Sequence, residues 1–281
     1  MFEVFEDAVI DSVKLLPFLF ATYFLMEWLE HKADNTTKSI IKRSGRLGPL
    51  FGSIIGALPQ CGFSAGGSSL YAGRIITLGT LFSIYLSTSD EMLPIMLSSA
   101  ASPALIGQVI GIKVVIGLVM GFLIDMIFKP ELPQIHVHEL CSEENCHCRC
   151  EESLLRSAFY HTVRVFGFIL LISCVLNLAL FLIGEERIAH ALLDHSVLAA
   201  FAASLIGLIP NCAASVLLTQ LYLEGMIRLG TMIGGLLTGA GVGLLVLFRV
   251  NHKRMKENIL IAAGLYAIGC AAGIVLNLIV L

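Results

Sequence analysis

The sequence predicts an all-α polytopic membrane protein with two inverted repeats of about five helical segments, each containing a re-entrant helical hairpin and a broken helix. The composition, an internal repeat and the distribution of basic residues among the loops lead to this prediction. Of the 281 residues, 57% are hydrophobic and 14% are charged, and the mean hydropathy is +0.86. A soluble domain could not bury so much apolar surface, so a lipid bilayer is the expected surrounding.

The repeat is visible when the sequence is shifted by 151 positions and compared with itself. Over residues 53–88 the shifted sequence is identical at 13 of 36 positions, including Pro59 with Pro210 and Cys61 with Cys212. Shared apolar composition alone would rarely place Pro, Cys and Gly in register, so we infer a duplication. The expected organisation is a first repeat over residues 1–128, a His/Cys-rich loop over 129–157 and a second repeat over 158–281.

Basic residues predict how the two repeats are oriented. Residues 29–47 contain five Lys or Arg, whereas their counterpart, residues 184–195, contains only Arg187. Residues 249–258 contain four, and their counterpart, residues 98–107, contains none. By the positive-inside rule the repeats are inverted, with the N-terminus outside and the central loop in the cytoplasm.

The spacing of apolar segments predicts three full crossings and one hairpin in each repeat. The arms of a hairpin are roughly 11 residues long, or about 16 Å, which is half of a bilayer core of about 30 Å. Each hairpin tip is therefore expected near the midplane. The expected crossings are residues 8–28, 75–97, 104–128, 159–183, 226–248 and 259–281, and the expected hairpins are residues 48–72 and 196–222.

The two hairpin tips form the first half of the predicted substrate site. Pro59 and Pro210 interrupt the helices at membrane depth, where irregular backbone is tolerated only if protein or water satisfies it. The alternative is that Pro and Gly simply kink two ordinary helices. The residues expected to bind substrate at the tips are Pro59, Gln60, Cys61 and Ser64 in the first repeat, and Pro210, Asn211, Cys212 and Ser215 in the second.

Two poor helix-forming runs supply the second half of the predicted site. Residues 87–91, Ser-Thr-Ser-Asp-Glu, align with residues 238–242, Thr-Gly-Ala-Gly-Val, and both runs are expected to be unwound. A carboxylate at this depth is expected to be paired or functional, and Lys113 lies at similar depth in the next helix. The pair could lock two helices together or exchange protons for a metal cation. Ser87, Ser89, Asp90, Glu91 and Thr238 are the expected substrate contacts, and Asp90, Glu91 and Lys113 are the expected coupling residues.

The central loop is rich in metal-binding side chains. Thiolate and imidazole together favour Zn, Cu(I), Cd or a thiophilic metalloid. A disulfide cluster is the alternative, although the predicted cytoplasmic position disfavours it. No permanent cofactor is expected beyond a transported or loop-bound metal ion. The predicted metal ligands are Cys61 and Cys212 at the tips, and His136, His138, Cys141, Cys146, His147, Cys148 and Cys150 in the loop.

Four other polar residues at membrane depth carry weaker signals. Cys174 and Cys270 are more typical of packing than of ligation. Asn177 and Asn277 are expected to form hydrogen bonds between helices.

These motifs resemble those of the ten-transmembrane heavy-metal exporter family. The resemblance rests on the Pro-Gln-Cys-Gly tip at residues 59–62, the Pro-Asn-Cys tip at 210–212, the run at 87–91 and the His/Cys loop, and it covers the whole chain. It implies a permease of the bacterial or archaeal cytoplasmic membrane, with ten segments, for a metal or metalloid. Family members are labelled arsenic efflux proteins or manganese transporters, so the resemblance does not name the substrate.

The leading functional hypothesis is a proton-coupled secondary exporter of a heavy metal or metalloid. The sequence has no phosphate-binding Gly-x-x-x-x-Gly-Lys-Ser/Thr motif for ATP hydrolysis and no basic patch for nucleic acid. A permease for a sulfur-containing or oxyanion substrate is one alternative. A membrane thiol oxidoreductase is another, disfavoured because neither tip has a Cys-x-x-Cys. We expect a transporter rather than an enzyme, with a metal ion and the lipid bilayer as partners, and homo-oligomerisation stays open.

Overall fold

The computed structural model describes residues 47–58, 61–89, 92–128 and 197–279, together with a few helical residues within 16–24 and 159–171. Every regular element in these ranges is helical, which confirms the predicted all-α class. The longer helices, numbered in chain order, are α1 (Gly48–Gly56), α2 (Cys61–Ala72), α3 (Leu78–Ser87), α4 (Met92–Ser98), α5 (Pro103–Ile127), α6 (Val197–Gly207), α7 (Cys212–Leu223), α8 (Leu229–Thr238), α9 (Val242–Val250) and α10 (Met255–Ile279).

Three stretches among the described residues are long and apolar enough to cross a membrane. They are Pro103–Ile127, Leu229–Val250, which combines α8 and α9, and His252–Ile279, which combines a short 3₁₀ turn and α10. The combined α8 and α9 stretch is 83% buried, whereas the other two are 22% and 28% buried. The broken helix therefore lies at the centre of the protein, and α5 and α10 lie at its periphery. The predicted crossings 8–28 and 159–183 lie mostly outside the described residues.

The helices form two sets with the same order and lengths. Helices α6–α10 begin and end within two residues of the positions that lie 151 residues after those of α1–α5. The packing is also the same in both sets. Helix α3 packs against α1 and α5, and α8 packs against α6 and α10.

Both central helices are interrupted where the sequence predicts unwinding. Helix α3 ends because Thr88 adopts an extended ψ of 126°, and the hydroxyl of Thr88 then donates to the carbonyl of Ile84 at 2.7 Å. Helix α8 ends at Gly239, and Gly241 has a φ of +53°, in the region that glycine adopts at little cost. Different residues thus produce equivalent breaks.

Contacts between helix ends show which helices begin at the same end of the bundle. Asp125, near the end of α5, accepts a hydrogen bond from Gly79 at the start of α3 (2.8 Å). Asn277, near the end of α10, donates to Thr231 at the start of α8 (3.0 Å). Glu257, at the start of α10, instead pairs with Arg74, which lies just before α3 (2.9 Å). The starts of α3 and α10 therefore lie at one end of the bundle, and the start of α8 lies at the other. The Asn277 bond also confirms that this side chain links two helices.

Small residues allow each central helix to approach its long neighbour. At the α8–α10 contact, Gly230 and Gly234 face Gly269 and Gly273, and an added Cβ on any of the four would meet backbone atoms of the opposite helix at 3.1 Å or less. Such small-xxx-small pairs let helices pack closely in membranes.

The α3–α5 contact is built in the same way, with one hydroxyl added. Ser83, one turn after Gly79, donates to the carbonyl of Gly117 on α5 at 3.0 Å. The space that Gly121 leaves beside it is filled by the Ser83 hydroxyl and the carbonyl of Gly79.

Helices of the two sets also contact each other. Helix α2 packs against α9, and α7 packs against α4. At the first contact, the carbonyl of Gly243 accepts hydrogen bonds from Ser68 on α2 (2.6 Å) and from the hydroxyl of Tyr85 on α3 (3.2 Å). Burial of these polar groups without partners would be costly, so their mutual satisfaction stabilises the contact between the sets.

We expect Gly273→Leu to destabilise the α8–α10 contact, because the new side chain would meet the carbonyl of Gly230 and the Cα of Gly234. Overpacking of this kind costs about 1–3 kcal/mol. The thermal unfolding midpoint in detergent should therefore fall. Gly111→Leu is the matched control, since a Cβ at Gly111 has no neighbour within 4 Å and the gain in helix propensity is the same. Equal midpoints for the two variants would contradict the packing argument.

Candidate functional site

In each set, the C-terminal end of the first short helix, α1 or α6, lies beside the end of the central helix. A Cβ on Gly56, the last residue of α1, would meet the hydroxyl of Ser87 and the carbonyl of Ile84 at the end of α3. A Cβ on Gly207, the last residue of α6, would meet the carbonyl of Gly235 at the end of α8. The ends of α1 and α6, which precede the predicted tips, are therefore adjacent to the predicted breaks.

Hydroxyl groups cover the last carbonyls of both broken helices. Ser87 donates to the carbonyl of Ser83 at 2.6 Å, and Ser89 donates to that of Ser87 at 3.2 Å. In the other set, Thr238 lies within bonding distance of two carbonyls, those of Ser204 on α6 (2.8 Å) and Gly235 (2.7 Å). Thr238 thus connects α6 to the end of α8. Ser87, Ser89 and Thr238 are all buried.

Lys113 joins the breaks of the two sets. It lies on α5, about 15 Å along a helix that is about 37 Å long, and its side chain is only 1% exposed. The Nζ atom donates to the carbonyl of Thr88, directly after α3, and to the carbonyl of Leu236 in the last turn of α8 at 3.2 Å. One ammonium group therefore contacts the C-terminal ends of both broken helices, near the middle of the bundle.

A cation in this position is favourable on electrostatic grounds. The last carbonyls of a helix have no intrahelical partner and carry partial negative charge. Two such ends that face each other in a low-dielectric interior repel each other unless positive charge lies between them. The centre of the bundle is therefore suited to a cation, and Lys113 supplies one.

At the second tip, Asn211 begins helix α7. Its backbone is extended, with φ of −145° and ψ of 144°, and its side-chain oxygen accepts from the backbone N–H of Ala213 at 3.4 Å. Asparagine is favoured at this N-cap position. Pro210 and Asn211 are half-buried. The amide at the tip therefore has a local structural role in addition to the predicted contact with substrate.

The two serines predicted to bind substrate, Ser64 and Ser215, lie on α2 and α7. Ser64 is buried, and its backbone and side chain lie against Gly243 on α9, where a Cβ would approach within 2.8 Å. Ser215 is half-buried, and its carbonyl accepts from the hydroxyl of Thr219 at 2.7 Å. Ser64 therefore lies at the contact between the two sets.

Several predicted site residues lie outside the described residues. Within the described residues, no three His, Cys, Asp or Glu side chains come together as a metal site. Cys270 is buried on α10, which fits a packing role. The predictions that fall outside concern Pro59, Gln60, Asp90 and Glu91, the side chains of Cys61 and Cys212, Cys174, Asn177, and the loop residues His136, His138, Cys141, Cys146, His147, Cys148 and Cys150.

An apolar groove of about 830 Å³ lies away from the helix breaks, between α5 and α10. Glycine, alanine and aliphatic side chains line it, with Gln108 near one end. None of the described residues that line the groove is ionisable.

Sequence reasoning missed an ion pair between the two sets. Arg74 donates two hydrogen bonds of 2.9 Å to the two carboxylate oxygens of Glu257, and the hydroxyl of Tyr71 also donates to Glu257. The guanidinium group lies 5.0 Å from the centre of the Tyr71 ring. Arg74 and Glu257 are 183 positions apart and have no charged counterparts in the repeat, so no sequence pattern connects them.

A comparison with protein families decides the identity of the chain. The family model described as "Putative, 10TM heavy-metal exporter" matches residues 1–184, which is more than half of the chain. The chain belongs to this exporter family. No curated protein and no solved structure matches it.

Membership of the exporter family confirms the family suggested by the motifs. The family description names a transporter rather than an enzyme, in agreement with the expectation from sequence. It also supports the expected membrane location and a metal ion as substrate. The match begins at residue 1 and therefore includes the first tip, the run at 87–91, Lys113 and the His/Cys loop.

We expect Thr238→Val to loosen the second tip, because valine keeps the shape of threonine but cannot donate to Ser204 or Gly235. Loss of a hydrogen bond worth about 1 kcal/mol corresponds to a roughly fivefold rise in local opening. Hydrogen exchange of peptides covering residues 200–215 should therefore accelerate about fivefold. Thr219→Val is the control, since the Thr219 hydroxyl bonds within its own helix. Unchanged exchange in Thr238→Val would show that this bond does not hold the tip.

Proposed function

We propose that the protein is a secondary active exporter of a thiophilic heavy-metal or metalloid ion, with its transport site at the tips and breaks of two inverted repeats. The observation that supports this most is the meeting of the C-terminal ends of α3 and α8 at the Lys113 ammonium. Helix ends near the midplane of a membrane protein are typical of transporter ion sites. A purely structural protein has no need for two broken helices that converge on a buried charge.

The inverted arrangement in the membrane is part of the proposal. It is supported by the antiparallel course of α5 and α10 and by the basic residues near the start of α10, Arg249, Lys253, Arg254 and Lys256. The equivalent end of α5 begins at Ser102 and Pro103 and has no base nearby. We place the basic end and the His/Cys loop in the cytoplasm of a prokaryotic cell, by the positive-inside rule.

We propose that α1 with α2 and α6 with α7 are re-entrant hairpins that enter from opposite sides. These helices contain 9 to 12 residues, and therefore reach about 14–18 Å, roughly half of the bilayer core. Their tips lie beside breaks that are similarly deep, since α3 and α8 each contain 10 residues. The unpaired backbone at the tips would then face the transport site rather than lipid.

The proposed substrate class follows from the side chains that the sequence places at the tips and in the loop. Cys61 and Cys212 occupy equivalent positions at the start of α2 and α7. Thiolates bind soft metal ions and arsenite-like metalloids in preference to Mn²⁺, which favours oxygen and nitrogen ligands. We therefore favour a thiophilic substrate over manganese among the substrates with which the family is labelled.

The energy source that we propose is a proton gradient. The sequence has no phosphate-binding motif for ATP hydrolysis. Asp90 and Glu91 follow Thr88, whose carbonyl is bound by Lys113, by only two and three residues. A carboxyl group in this region could take up a proton as the metal leaves and release it as the metal binds. These two residues and Lys113 are therefore the proposed coupling residues.

Flux into vesicles that contain the purified protein tests the proposal. We expect uptake of at least one of Cd²⁺, Zn²⁺, Cu(I) and arsenite that exceeds Mn²⁺ uptake and increases with a pH gradient. Cys61→Ser and Cys212→Ser should each lower the initial rate about tenfold or more, because a soft ligand is lost. Cys270→Ser is the control, since this cysteine is buried on α10 and belongs to neither tip sequence. A vesicle preparation that moves no metal but reduces disulfides would instead support a thiol oxidoreductase.

Removal of residues 136–150 distinguishes a metal exporter from an anion permease. An exporter that takes metal from the loop should lose apparent affinity for the metal, or its regulation, when these ligands are removed. A permease for an oxyanion or a sulfur-containing substrate, which the N-terminal helix ends at the tips could attract, should keep its full rate. The measurement is the concentration dependence of flux for metal, sulfite and sulfate in parallel. Unchanged metal flux after the deletion would leave no role in transport for the loop.

A further inference from the structure

The carbonyl groups around Lys113 resemble a binding site for a small monovalent cation. Thr88 and Leu236 present backbone oxygens from two helices that approach from opposite ends of the bundle. In broken-helix transporters, unwound carbonyls and half-helix C-terminal ends are the groups that coordinate Na⁺. Here an ammonium group is bonded to such oxygens.

The ammonium group of lysine can replace such an ion. It is a compact charge of +1 with three donors, carried on a flexible stem. In Lys113 the stem comes from α5, which packs against α3 and also contacts α8. The lysine stem therefore carries the charge from α5 to the ends of α3 and α8. The charge cannot dissociate from the protein as a free ion can.

The second set contributes no equivalent cation. The position 151 residues after Lys113 is Gly264, and a Cβ there would meet the ring of Phe82 at 3.0 Å. Among the described residues, the Lys113 ammonium group therefore serves the C-terminal ends of both broken helices. The two sets therefore differ at this position, where one positive charge is enough for both helix ends.

We propose that Lys113 is a tethered substitute for a sodium ion, and that it fills a monovalent-cation site between the ends of α3 and α8. It follows that the wild-type protein needs no sodium, and that removal of the lysine side chain exposes a sodium site. The effect on transport rests on the proposed exporter function, whereas the effect on stability does not.

The test measures the thermal unfolding midpoint of the full-length protein in detergent, with choline replacing sodium at constant ionic strength. Wild-type protein should give the same midpoint in both salts. Lys113→Ala should be less stable in choline, and its midpoint should rise with sodium concentration by about 5 °C at saturation, as expected for a ligand that binds only the folded state. Equal midpoints of Lys113→Ala in the two salts would overturn the proposal.

Three control variants separate a specific site from a general salt effect. Lys113→Arg keeps the charge and should show no dependence on sodium. Lys113→Met fills the space without charge, so it should be unstable in both salts. Lys256→Ala removes an exposed lysine and should behave as wild type. A sodium-dependent midpoint in Lys113→Met or Lys256→Ala would assign the effect to the salt and would overturn the proposal.

If Lys113→Ala gives no folded protein, Lys113→Gln decides in the same assay, because it leaves polar atoms near both carbonyls. A sodium-dependent rise of the midpoint supports the proposal, and equal midpoints overturn it.

Metal flux in wild-type vesicles gives a separate result. Flux that continues without sodium supports the substitute role, and flux that requires sodium overturns it. Vesicles that move no metal at all contradict the exporter function, and the stability measurements then decide on the cation site.

Discussion

The arrangement at the centre of the protein depends on one interaction, the contact of the Lys113 ammonium with the backbone carbonyls of Thr88 and Leu236. A membrane interior has no water to satisfy the end of a helix, and unpaired carbonyls there cost several kcal/mol. Two helices can end at that depth only if other groups donate hydrogen bonds to their last carbonyls. Lys113 does this for both helices at once, and the hydroxyl groups of Ser87 and Thr238 cover further carbonyls.

Close packing brings these groups together. The carbonyls of α3 and α8 can lie near α5 and the hairpin arms because glycine and serine occupy the contact faces. Gly207 lets α6 approach the carbonyl of Gly235, and Gly234 lets α8 approach Gly269 on α10. A larger side chain at these positions would separate the helix ends. The small residues thus determine the position of the charged centre, although they carry no charge themselves.

Sequence reasoning predicted the all-α class and most of the helix bounds, whereas the assignment of the site residues stays a prediction. The offset of 151 residues and the apolar spacing predicted the bounds of the short helices and the interruptions after α3 and α8 within a few residues, because Pro, Gly and hydroxyl residues act locally on the backbone. It also predicted that the Lys113 ammonium has a polar or charged partner, since a lysine at membrane depth needs one. The expected pairing with Asp90 or Glu91 stays a prediction.

The sequence did not predict that Lys113 also contacts Leu236, which lies 123 positions away in the other set. Backbone carbonyls are present at every residue and leave no sequence signal. The same reason applies to the carbonyl of Gly243, which accepts from Ser68 and Tyr85. Tertiary packing determines the contacts between the two sets. The repeat therefore predicts which helices exist, but not how the helices of the two sets contact each other.

The two ends of the bundle differ in how firmly the sets are joined. At the end where α10 begins, any movement of α2 away from α10 must break the bidentate pair of Arg74 and Glu257, whose side chains are largely shielded from water. Charge-assisted pairs of this geometry are stronger than neutral hydrogen bonds. At the opposite end, the equivalent positions are Gly225 and Ile106, which cannot form such a pair. The ion pair therefore joins the two sets at one end of the bundle, and the equivalent positions at the other end supply no such pair.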